Sequence, residues 1–406
     1  MAEIAKLTLV FVLIVALLRF KVNLGLAMLA GSLSLGLSMG MSPSQIAASV
    51  ARASMDLRGV TLIVALALIM VLENILRKTG TLEDLVGSLR ALFGDNRVVM
   101  ASMPAIIGLL PSPGGAYFSA PLVEESSRGC TIGCERKSFI NYWFRHVWEY
   151  VSPLYPGFIL TAALAGVSMG ELFVAQVAFP LTILALGTVV GFRGIAPAPA
   201  LENVDRSRSL VVLVKSAAPI IILMLLVIAG GVNVAVALVA VLAGLFIFHR
   251  YGPARFVRAV REGVSLKTLF LVLGVLIFQG VVEDSGVVQT MPQTLDELGV
   301  PVLAILFLLP FLVGFITGVA VAFVGIAFPL LLPLVGYPQP DLTMLAFAFA
   351  SGFAGVMFSP VHLCLILTKQ YFGSRLAPIY RSMALPQALV VVVALVQLFL
   401  AHEVFG

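Results

Sequence analysis

The chain repeats a set of glycine and proline residues in its two halves. The pairs that share one spacing are Gly80 with Gly286, Pro104 with Pro310, Gly108 with Gly314, and Pro180 with Pro386. Ser152-Pro153 pairs with Ser359-Pro360 at a separation that is one residue longer. Glycine and proline set backbone geometry, so the two halves are expected to bend at the same places. In an apolar chain, a duplicated half with interrupted helices is typical of a secondary transporter.

The composition is that of a membrane protein. Hydrophobic residues make up 60% of the chain and charged residues 11%, and the mean hydropathy is +1.09. Several apolar runs reach the roughly 20 residues that a helix needs to cross a bilayer. The net charge of +5 is assigned to cytoplasmic loops, and no nucleic-acid partner is expected. The composition therefore predicts a multi-pass protein of the cell (inner) membrane.

The three cysteines do not indicate a disulfide framework or a zinc site. Cys130, Cys134 and Cys364 form no disulfide framework. Cys130 and Cys134 also lack the nearby histidines or second cysteine pair of a zinc site. No metal site and no cofactor are predicted, and H⁺ or Na⁺ is the possible coupling ion.

Hydrophobic segments recur in the same order in both halves. The first half has spans near 5–18, 24–41 and 59–77, an amphipathic stretch at 81–93, a broken segment at 97–124, an interrupted span at 139–167 and a last span at 171–192. The second half has spans near 213–230, 232–248 and 267–283, an amphipathic stretch at 288–299, a broken segment at 301–334, an interrupted span at 345–371 and a last span at 383–402.

Each half contains one hydrophobic segment that is broken at its middle. Residues 97–124 are interrupted by the sequence PSPGG, which cannot continue a helix. The segment is either one kinked helix or a re-entrant hairpin that returns to the side it came from. The hairpin alternative gives each half an odd number of crossings, so the second half is inverted and most of the 25 Lys and Arg residues fall in cytoplasmic loops. The positive-inside rule therefore favours the hairpin.

The predicted fold is an all-α polytopic membrane protein of two inverted-topology repeats. Each repeat would hold five transmembrane helices and one re-entrant hairpin, with broken helices. The repeats are predicted at 1–192 and 213–406, joined by a cytoplasmic linker at 193–212. Both termini are predicted to lie outside the cytoplasm.

The tips of the hairpins and the breaks in the spans are the predicted substrate site. A bilayer tolerates unpaired backbone only where it lines a cavity or is buried in protein. At a break, one half-helix offers free amides to an anion and the other offers carbonyls to a cation. The alternative is that these small residues only pack helices together. The candidate substrate-binding residues are Ser112, Gly114, Gly115, Ser152, Pro153, Thr317, Gly318, Ser359, Pro360 and, near the first break, Arg145.

Ionisable residues near the breaks are the candidates for coupling. Arg145 and Glu149 lie at i and i+4, so they either form a buried ion pair or serve a site in which Arg145 clamps a carboxylate. His146 and Glu149 could also be two metal ligands, although no further ligand accompanies them in sequence. His362 is either a charge switch or a neutral hydrogen-bonded residue. Because the breaks offer isolated hydroxyls and no asparagine, proton coupling through His146, Glu149 and His362 is favoured over sodium coupling.

The order of spans, hairpin, broken span and final span resembles the ion transporter superfamily, which includes divalent anion–sodium symporters, gluconate permeases and citrate permeases. The segments GLLPSPGGAYFSAPLVEE and FSPVHLCLILTKQYFG more closely resemble an uncharacterised prokaryotic membrane family, a domain of unknown function within that superfamily. The resemblance implies a homodimer in which scaffold spans hold the dimer. A transport domain of hairpins and broken spans would move like an elevator. The symporters carry Ser-Asn-Thr at their hairpin tips, and this chain has Pro-Ser-Pro-Gly-Gly and Thr-Gly-Val there instead.

The sequence thus predicts a secondary active transporter for a small solute, an organic anion such as a carboxylate, working by alternating access and coupled to protons or sodium. A channel or uniporter for a small ion is the alternative. An intramembrane enzyme is disfavoured because the chain has no Gly-x-Ser-Gly and no His-Glu-x-x-His motif.

Overall fold

The computed structural model describes residues 2–93, 95–111, 115–196, 205–250, 252–287, 297 and 299–405. Within these ranges the regular structure is helical, and no β-strand is present. The prediction of an all-α fold is confirmed. Most of the predicted amphipathic stretch at 288–299 and part of the predicted linker, at 197–204, lie outside the described residues.

The helices of the first half follow the order of the predicted segments. They are α1 (Ala2–Arg19), α2 (Leu24–Ser38), α3 (Pro43–Met55), α4 (Leu57–Lys78), α5 (Thr81–Leu92), α6 (Asn96–Ile107), α7 (Gly115–Ser126), α8 (Cys134–Arg145), α9 (Pro156–Ala165), α10 (Met169–Gln176) and α11 (Ala178–Phe192). A short 3₁₀ turn at Val147–Tyr150 separates α8 from α9.

The helices of the second half follow the same order. They are α12 (Arg206–Met224), α13 (Val234–Phe248), α14 (Pro253–Gly263), α15 (Leu266–Asp284), α16 (Val302–Thr317), α17 (Ala320–Leu331), α18 (Leu342–Phe358), α19 (Leu363–Phe372) and α20 (Leu376–Phe405). A π-helical turn at Leu225–Ala229 extends α12.

Six of the described helical segments are long and apolar enough to cross a bilayer. These segments are Leu57–Lys78, Met169–Phe192, Arg206–Ala229, Leu266–Asp284, Leu342–Phe372 and Leu376–Glu403. Further apolar helices, such as Leu24–Ser38 and Val234–Phe248, are shorter. The long apolar helices agree with the predicted membrane protein.

Two short helices were not expected from the sequence. The first is α3, and a capping box begins it: the Ser42 side chain accepts from the backbone N–H of Gln45, whose side chain bonds back to the Ser42 backbone. The second is α14, which has Pro253 at its first turn, where a missing backbone donor costs nothing. Both are short and polar, so a search for hydrophobic spans passes over them.

Prolines explain where the broken spans are interrupted. Ser359 ends α18 with φ −68° and ψ 123°, the extended conformation that a following proline favours. His362 then precedes the new helix α19. In the first half the interruption is longer, since α8 ends at Arg145 and α9 begins only at Pro156. Both predicted interruptions are therefore present.

Helices α6 and α7 pack on each other, as do α16 and α17, and we call these two helix pairs the first and the second hairpin. Glycines allow close contact between α16 of the second hairpin and α18. A Cβ atom at Gly355 of α18 would overlap the carbonyl of Phe311 in α16. A Cβ at Gly314 of α16 would lie 3.0 Å from the backbone nitrogen of Val356. Small residues of this kind let membrane helices approach until their backbones touch. The hairpin and the broken span are thus packed as one layer.

Helices of the first half pack on helices of the second half. Among these contacts, α2 packs on α15 and α4 on α13, while α7 packs on α19 and α9 on α17. The shorter helices do the same, with α3 against α15 and α14 against α4. One hydrophobic core therefore runs through both halves.

A buried polar cluster ties three of these helices together. Asn141 of α8 donates to the hydroxyl of Thr368 in α19 at 2.9 Å and to the carbonyl of Ala116 in α7 at 3.0 Å. Its side-chain oxygen accepts from the hydroxyl of Ser119 at 2.6 Å. Asn141, Ser119 and Thr368 have no exposed surface. Satisfied polar groups in an apolar interior fix the relative positions of the helices that carry them.

Candidate functional site

The breaks of the two interrupted spans meet at a pair of histidines. The Nε2 atoms of His146 and His362 lie 3.1 Å apart. Both side chains are buried, and the ring of Tyr142 packs edge-on against each of them. The pair joins the first half of the chain to the second at its most irregular backbone.

The other ring nitrogens define the tautomers of the pair. Nδ1 of His146 lies 2.6 Å from the carbonyl of Tyr142, and Nδ1 of His362 lies 2.8 Å from the carbonyl of Gly318. A carbonyl only accepts hydrogen bonds, so both Nδ1 atoms are assigned as protonated. In neutral rings both Nε2 atoms are then acceptors that face each other. A proton or a metal ion between the two Nε2 atoms would turn this 3.1 Å contact of two acceptors into an attractive one.

Cys364 and Glu149 complete a polar cluster around the two histidines. The sulfur of Cys364 and one ring nitrogen from each histidine all lie within 4.8 Å of one another. One carboxylate oxygen of Glu149 lies 3.7 Å from Nε2 of His146. We call these four side chains the histidine cluster. It combines the nitrogen donors of two buried histidines with a sulfur and a carboxylate that are partly buried.

Arg145 connects the histidine cluster to the first hairpin. Its guanidinium lies against the backbone of Gly115, where a Cβ atom would be 2.5 Å from Cζ. The carbonyl of Arg145 lies so close to Gly108 that a Cβ there would overlap it. Glycine is required at both positions because any larger residue would displace Arg145.

The second hairpin is connected to the cluster in the same way. Gly318 ends α16 with φ 66° and ψ 22°, the left-handed conformation. A Cβ on Gly318 would lie 2.9 Å from the backbone nitrogen of His362 and from the hydroxyl of Ser359. The structure therefore brings the described parts of both hairpin tips to the breaks in both spans.

A cavity of about 630 Å³ opens beside the histidine cluster, and we call it the central cavity. One wall comes from α4 and the α14–α15 segment, including Leu66, Glu73 and Thr268. The opposite wall comes from the hairpins and breaks and includes Arg145 and Glu149. The volume lies in the usual range for a small-molecule site.

The first wall is held by contacts between α4 and α14. The side chain of Asn74 donates to the carbonyl of Ala259 at 2.9 Å, and Lys78 forms an ion pair with Glu262. Glu73 pairs with Arg77 one turn away at 2.5 Å. This wall combines the continuous helix α4 with the junction of α14 and α15, whereas the opposite wall consists of helix ends and turns from the breaks.

Three helices begin at the central cavity. The cavity is lined by Pro156 and Gly157 at the start of α9, Ala320 and Val321 at the start of α17, and Cys364 in the first turn of α19. The first amides of a helix have no intrahelical partner and carry a partial positive charge. Together with the guanidinium of Arg145 they provide an environment for an anion.

The structure brings together some of the predicted site residues and leaves others aside. Arg145, Glu149, His362 and Gly318 line the central cavity, and His146 lies directly behind His362. Gly115 lies against Arg145. Ser112 and Gly114 lie outside the described residues. Gly115 and His146 do not themselves line the cavity, and five further predicted residues are also absent from its lining: Ser152, Pro153, Thr317, Ser359 and Pro360.

The hydroxyls among those five residues bond to nearby backbone. Ser152 and Ser359 accept hydrogen bonds from the backbone two residues ahead, at Leu154 and Val361. Thr317 donates to the carbonyl of Val313 at 2.7 Å. These hydroxyls shape the breaks, and a direct role in binding stays a prediction.

Sequence reasoning missed Cys364 and Tyr155. Tyr155 lines the central cavity, and its hydroxyl donates to the carbonyl of Gly108 in the first hairpin. Cys364 follows His362 by two residues at the start of a helix, and this His-x-Cys spacing was the available signal. Tyr155 is also adjacent to the proline that begins α9, so its position at a helix start could have been recognised.

A family model described as "Protein of unknown function (DUF401)" matches residues 3–401 of the chain. No curated protein matches the chain. Among solved structures, the chain is similar to the Alcanivorax borkumensis YdaH transporter, whose crystal structure is described as having an unusual topology. The TM-score is 0.59 at 15% sequence identity, and the match covers 90% of this chain and 88% of that one. At this identity the likeness is one of fold.

Proposed function

The chain belongs to the DUF401 family of proteins of unknown function, and we propose that it is a secondary active transporter for a small organic anion such as a carboxylate. One observation carries the proposal. The central cavity is lined by the ends of broken helices from both halves, by the continuous helix α4 and by the junction of α14 and α15. Membrane proteins place irregular backbone at such depth mainly around substrates and ions. The fold likeness to a protein described as a transporter supports it.

The proposed architecture is the pair of inverted repeats at 1–192 and 213–406, in the arrangement of the ion transporter superfamily. Two observations support it. Helices follow the same order in both halves, and contacts between the halves are reciprocal, as with α7 on α19 and α9 on α17. A rotation that exchanges the halves would produce such exchanged pairs.

The proposed movement is an elevator of the hairpins and broken spans against the continuous helices. The central cavity lies at the boundary between these two groups. A sliding of one group past the other would carry a solute that is bound at the helix ends. The continuous helices would also hold a homodimer in the inner membrane.

The proposed substrate is anionic, and the groups that support this are one guanidinium and three helix starts; Glu73, Glu149 and Glu262 also line the cavity. Arg145 and the starts of α9, α17 and α19 face the cavity. A carboxylate between a guanidinium and helix amides forms charge-assisted hydrogen bonds. Small mono- and dicarboxylates fit the cavity volume of about 630 Å³.

The proposed coupling ion is a proton held between His146 and His362. Their Nε2 atoms lie 3.1 Å apart, a distance that a shared proton would explain, and Glu149 lies 3.7 Å from Nε2 of His146. Protonation of the cluster would place positive charge beside the bound anion. The charged and titratable groups that face it are Arg145, Glu149 and Cys364. Sodium remains the alternative coupling ion.

Binding of small anions tests the proposed substrate class. We expect the unfolding temperature in detergent to rise with a small carboxylate and the rise to disappear in Arg145→Gln. A hydrogen bond to a charged group contributes about 1.5–3 kcal/mol, so affinity should fall about tenfold or more. Arg375→Gln is the matched control, because its side chain is 84% exposed. Stabilisation by neutral or cationic solutes only would contradict an anion site.

Labelling of single cysteines tests the proposed topology. In a cysteine-free background, we expect an impermeant maleimide to label Ala2→Cys and Glu403→Cys on intact cells. Ser207→Cys, at the end of the proposed linker, should react only after the membrane is permeabilised. The physical reason is the clustering of Lys and Arg in the loops assigned to the cytoplasm. Protection of both termini on intact cells would overturn the inverted arrangement.

A further inference from the structure

The histidine cluster has the donor set of a transition-metal site. We propose that His146, His362 and Cys364 bind one divalent metal ion of the Zn²⁺ type through the two Nε2 atoms and the sulfur. The sulfur and one nitrogen of each ring lie within 4.8 Å of one another, and the two Nε2 atoms are 3.1 Å apart. The inference rests on this geometry and holds whether or not the protein transports an anion.

The distance between the histidines fits a shared ion. Zinc binds imidazole nitrogen at about 2.0–2.1 Å, so two nitrogens in a tetrahedral site lie roughly 3.3 Å apart. The Nε2 atoms of His146 and His362 are 3.1 Å apart. A small outward movement of either ring accommodates the ion. Both rings already aim a nitrogen at the same point in space.

The second nitrogen of each ring has the partner that metal-binding histidines use. Ligating histidines nearly always donate their other N–H to a carbonyl or carboxylate, which fixes the ring and its tautomer. Here the acceptors are the carbonyls of Tyr142 at 2.6 Å and Gly318 at 2.8 Å. The lone pairs of both Nε2 atoms are therefore directed at the ion before it binds.

Cys364 supplies the third ligand and selects the type of metal. Its position in the first turn of α19 is one that stabilises a thiolate, the form that binds metal. Thiolate and imidazole favour Zn²⁺, Co²⁺ and copper over Mg²⁺ and Ca²⁺. On binding, the thiol proton and the proton between the rings are released to solvent. Glu149, 3.7 Å from Nε2 of His146, is the candidate for a fourth ligand.

Cobalt titration of the purified, chelator-treated protein in detergent tests this site. We expect a thiolate-to-cobalt charge-transfer band and the strong visible bands of tetrahedral Co²⁺. Both should saturate at one ion per chain and disappear when Zn²⁺ is added. Cys364→Ser should lose the charge-transfer band and bind at least about tenfold more weakly, the smallest cost of losing even a supporting contact at a metal site.

Two other cysteines provide the matched control. Cys130 and Cys134 lie outside the cluster, so Cys130→Ser/Cys134→Ser should keep the full spectrum. His146→Gln should weaken binding while keeping the thiolate band. If the wild-type protein gave no thiolate-to-cobalt charge-transfer band, that result alone would overturn the proposal. Its persistence in Cys364→Ser would also overturn it, as would binding of Mg²⁺ as tight as that of Zn²⁺.

Binding and transport can fail separately. A cobalt spectrum from a protein that takes up no carboxylate would support the metal site and count against the proposed transport. Carboxylate uptake by a protein that gives no cobalt spectrum would do the reverse.

Discussion

Proteoliposomes that contain the protein are expected to take up a small carboxylate when a pH gradient is imposed in the absence of sodium. Uptake should fall close to that of empty liposomes in Glu149→Gln and in His362→Ala. Glu149→Gln removes the carboxylate 3.7 Å from the histidine pair. His362→Ala removes one of the two nitrogens that hold the shared proton. Radiolabelled uptake under opposite gradients measures both effects.

Residues of the same type elsewhere in the chain serve as controls for that experiment. His402 pairs with Asp341 and its side chain is 49% exposed, while Glu171 caps the start of α10. His402→Ala and Glu171→Gln should therefore retain uptake. Uptake that required sodium and ignored the pH gradient would show that the histidine pair does not carry the coupling ion. Flux that did not saturate with substrate would favour a channel.

Replacement of Gly318 by alanine is expected to destabilise the protein and abolish transport. The left-handed backbone alone costs alanine about 1–2 kcal/mol. The new Cβ would also lie 2.9 Å from the backbone nitrogen of His362 and from the hydroxyl of Ser359. Overpacking of this kind adds about 1–3 kcal/mol and would push the second tip away from the second break. Thermal unfolding in detergent and uptake by proteoliposomes report the two effects.

Gly373 separates the steric effect from the backbone effect. It ends α19 with φ 63° and ψ 24°, almost the same conformation as Gly318, and no atom lies within 4 Å of a Cβ built there. Gly373→Ala should therefore show the backbone cost alone and retain transport. Equal losses in the two variants would mean that the contact between Gly318 and the second break is unimportant.

Most of the fold could be predicted because membrane helices leave strong local signals. The long apolar runs and the prolines placed the spans and the interruptions, and the all-helical prediction is confirmed by the described residues. The helices α3 and α14 escaped prediction, since their starts depend on capping by Ser42 and on Pro253 rather than on hydropathy. Hydropathy does not predict a polar helix whose ends are set by capping residues.

The site could be predicted only as far as neighbours in sequence allowed. Arg145, His146 and Glu149 were recognised together because they fall within one broken span. The contact between His146 and His362 joins residues from different halves of the chain, and no pattern within either half specifies it. Cys364 became informative only when both histidines were placed beside it. The sequence also could not predict the histidine tautomers, because these depend on which backbone carbonyls the fold places beside the rings.

The buried cluster around Asn141 has a consequence for biosynthesis. Its partner Thr368 is separated from it by 227 residues, and the nearby bond from Ser138 to Ser374 spans 236. A ribosome therefore delivers α8 to the membrane long before α19 exists. Until α19 is made, the side-chain amide of Asn141 lacks its hydrogen bond to the hydroxyl of Thr368. The cluster is thus completed late in synthesis, and a chain that ends before α19 keeps the bonds of Asn141 to Ala116 and Ser119 but lacks the bond that joins the two halves.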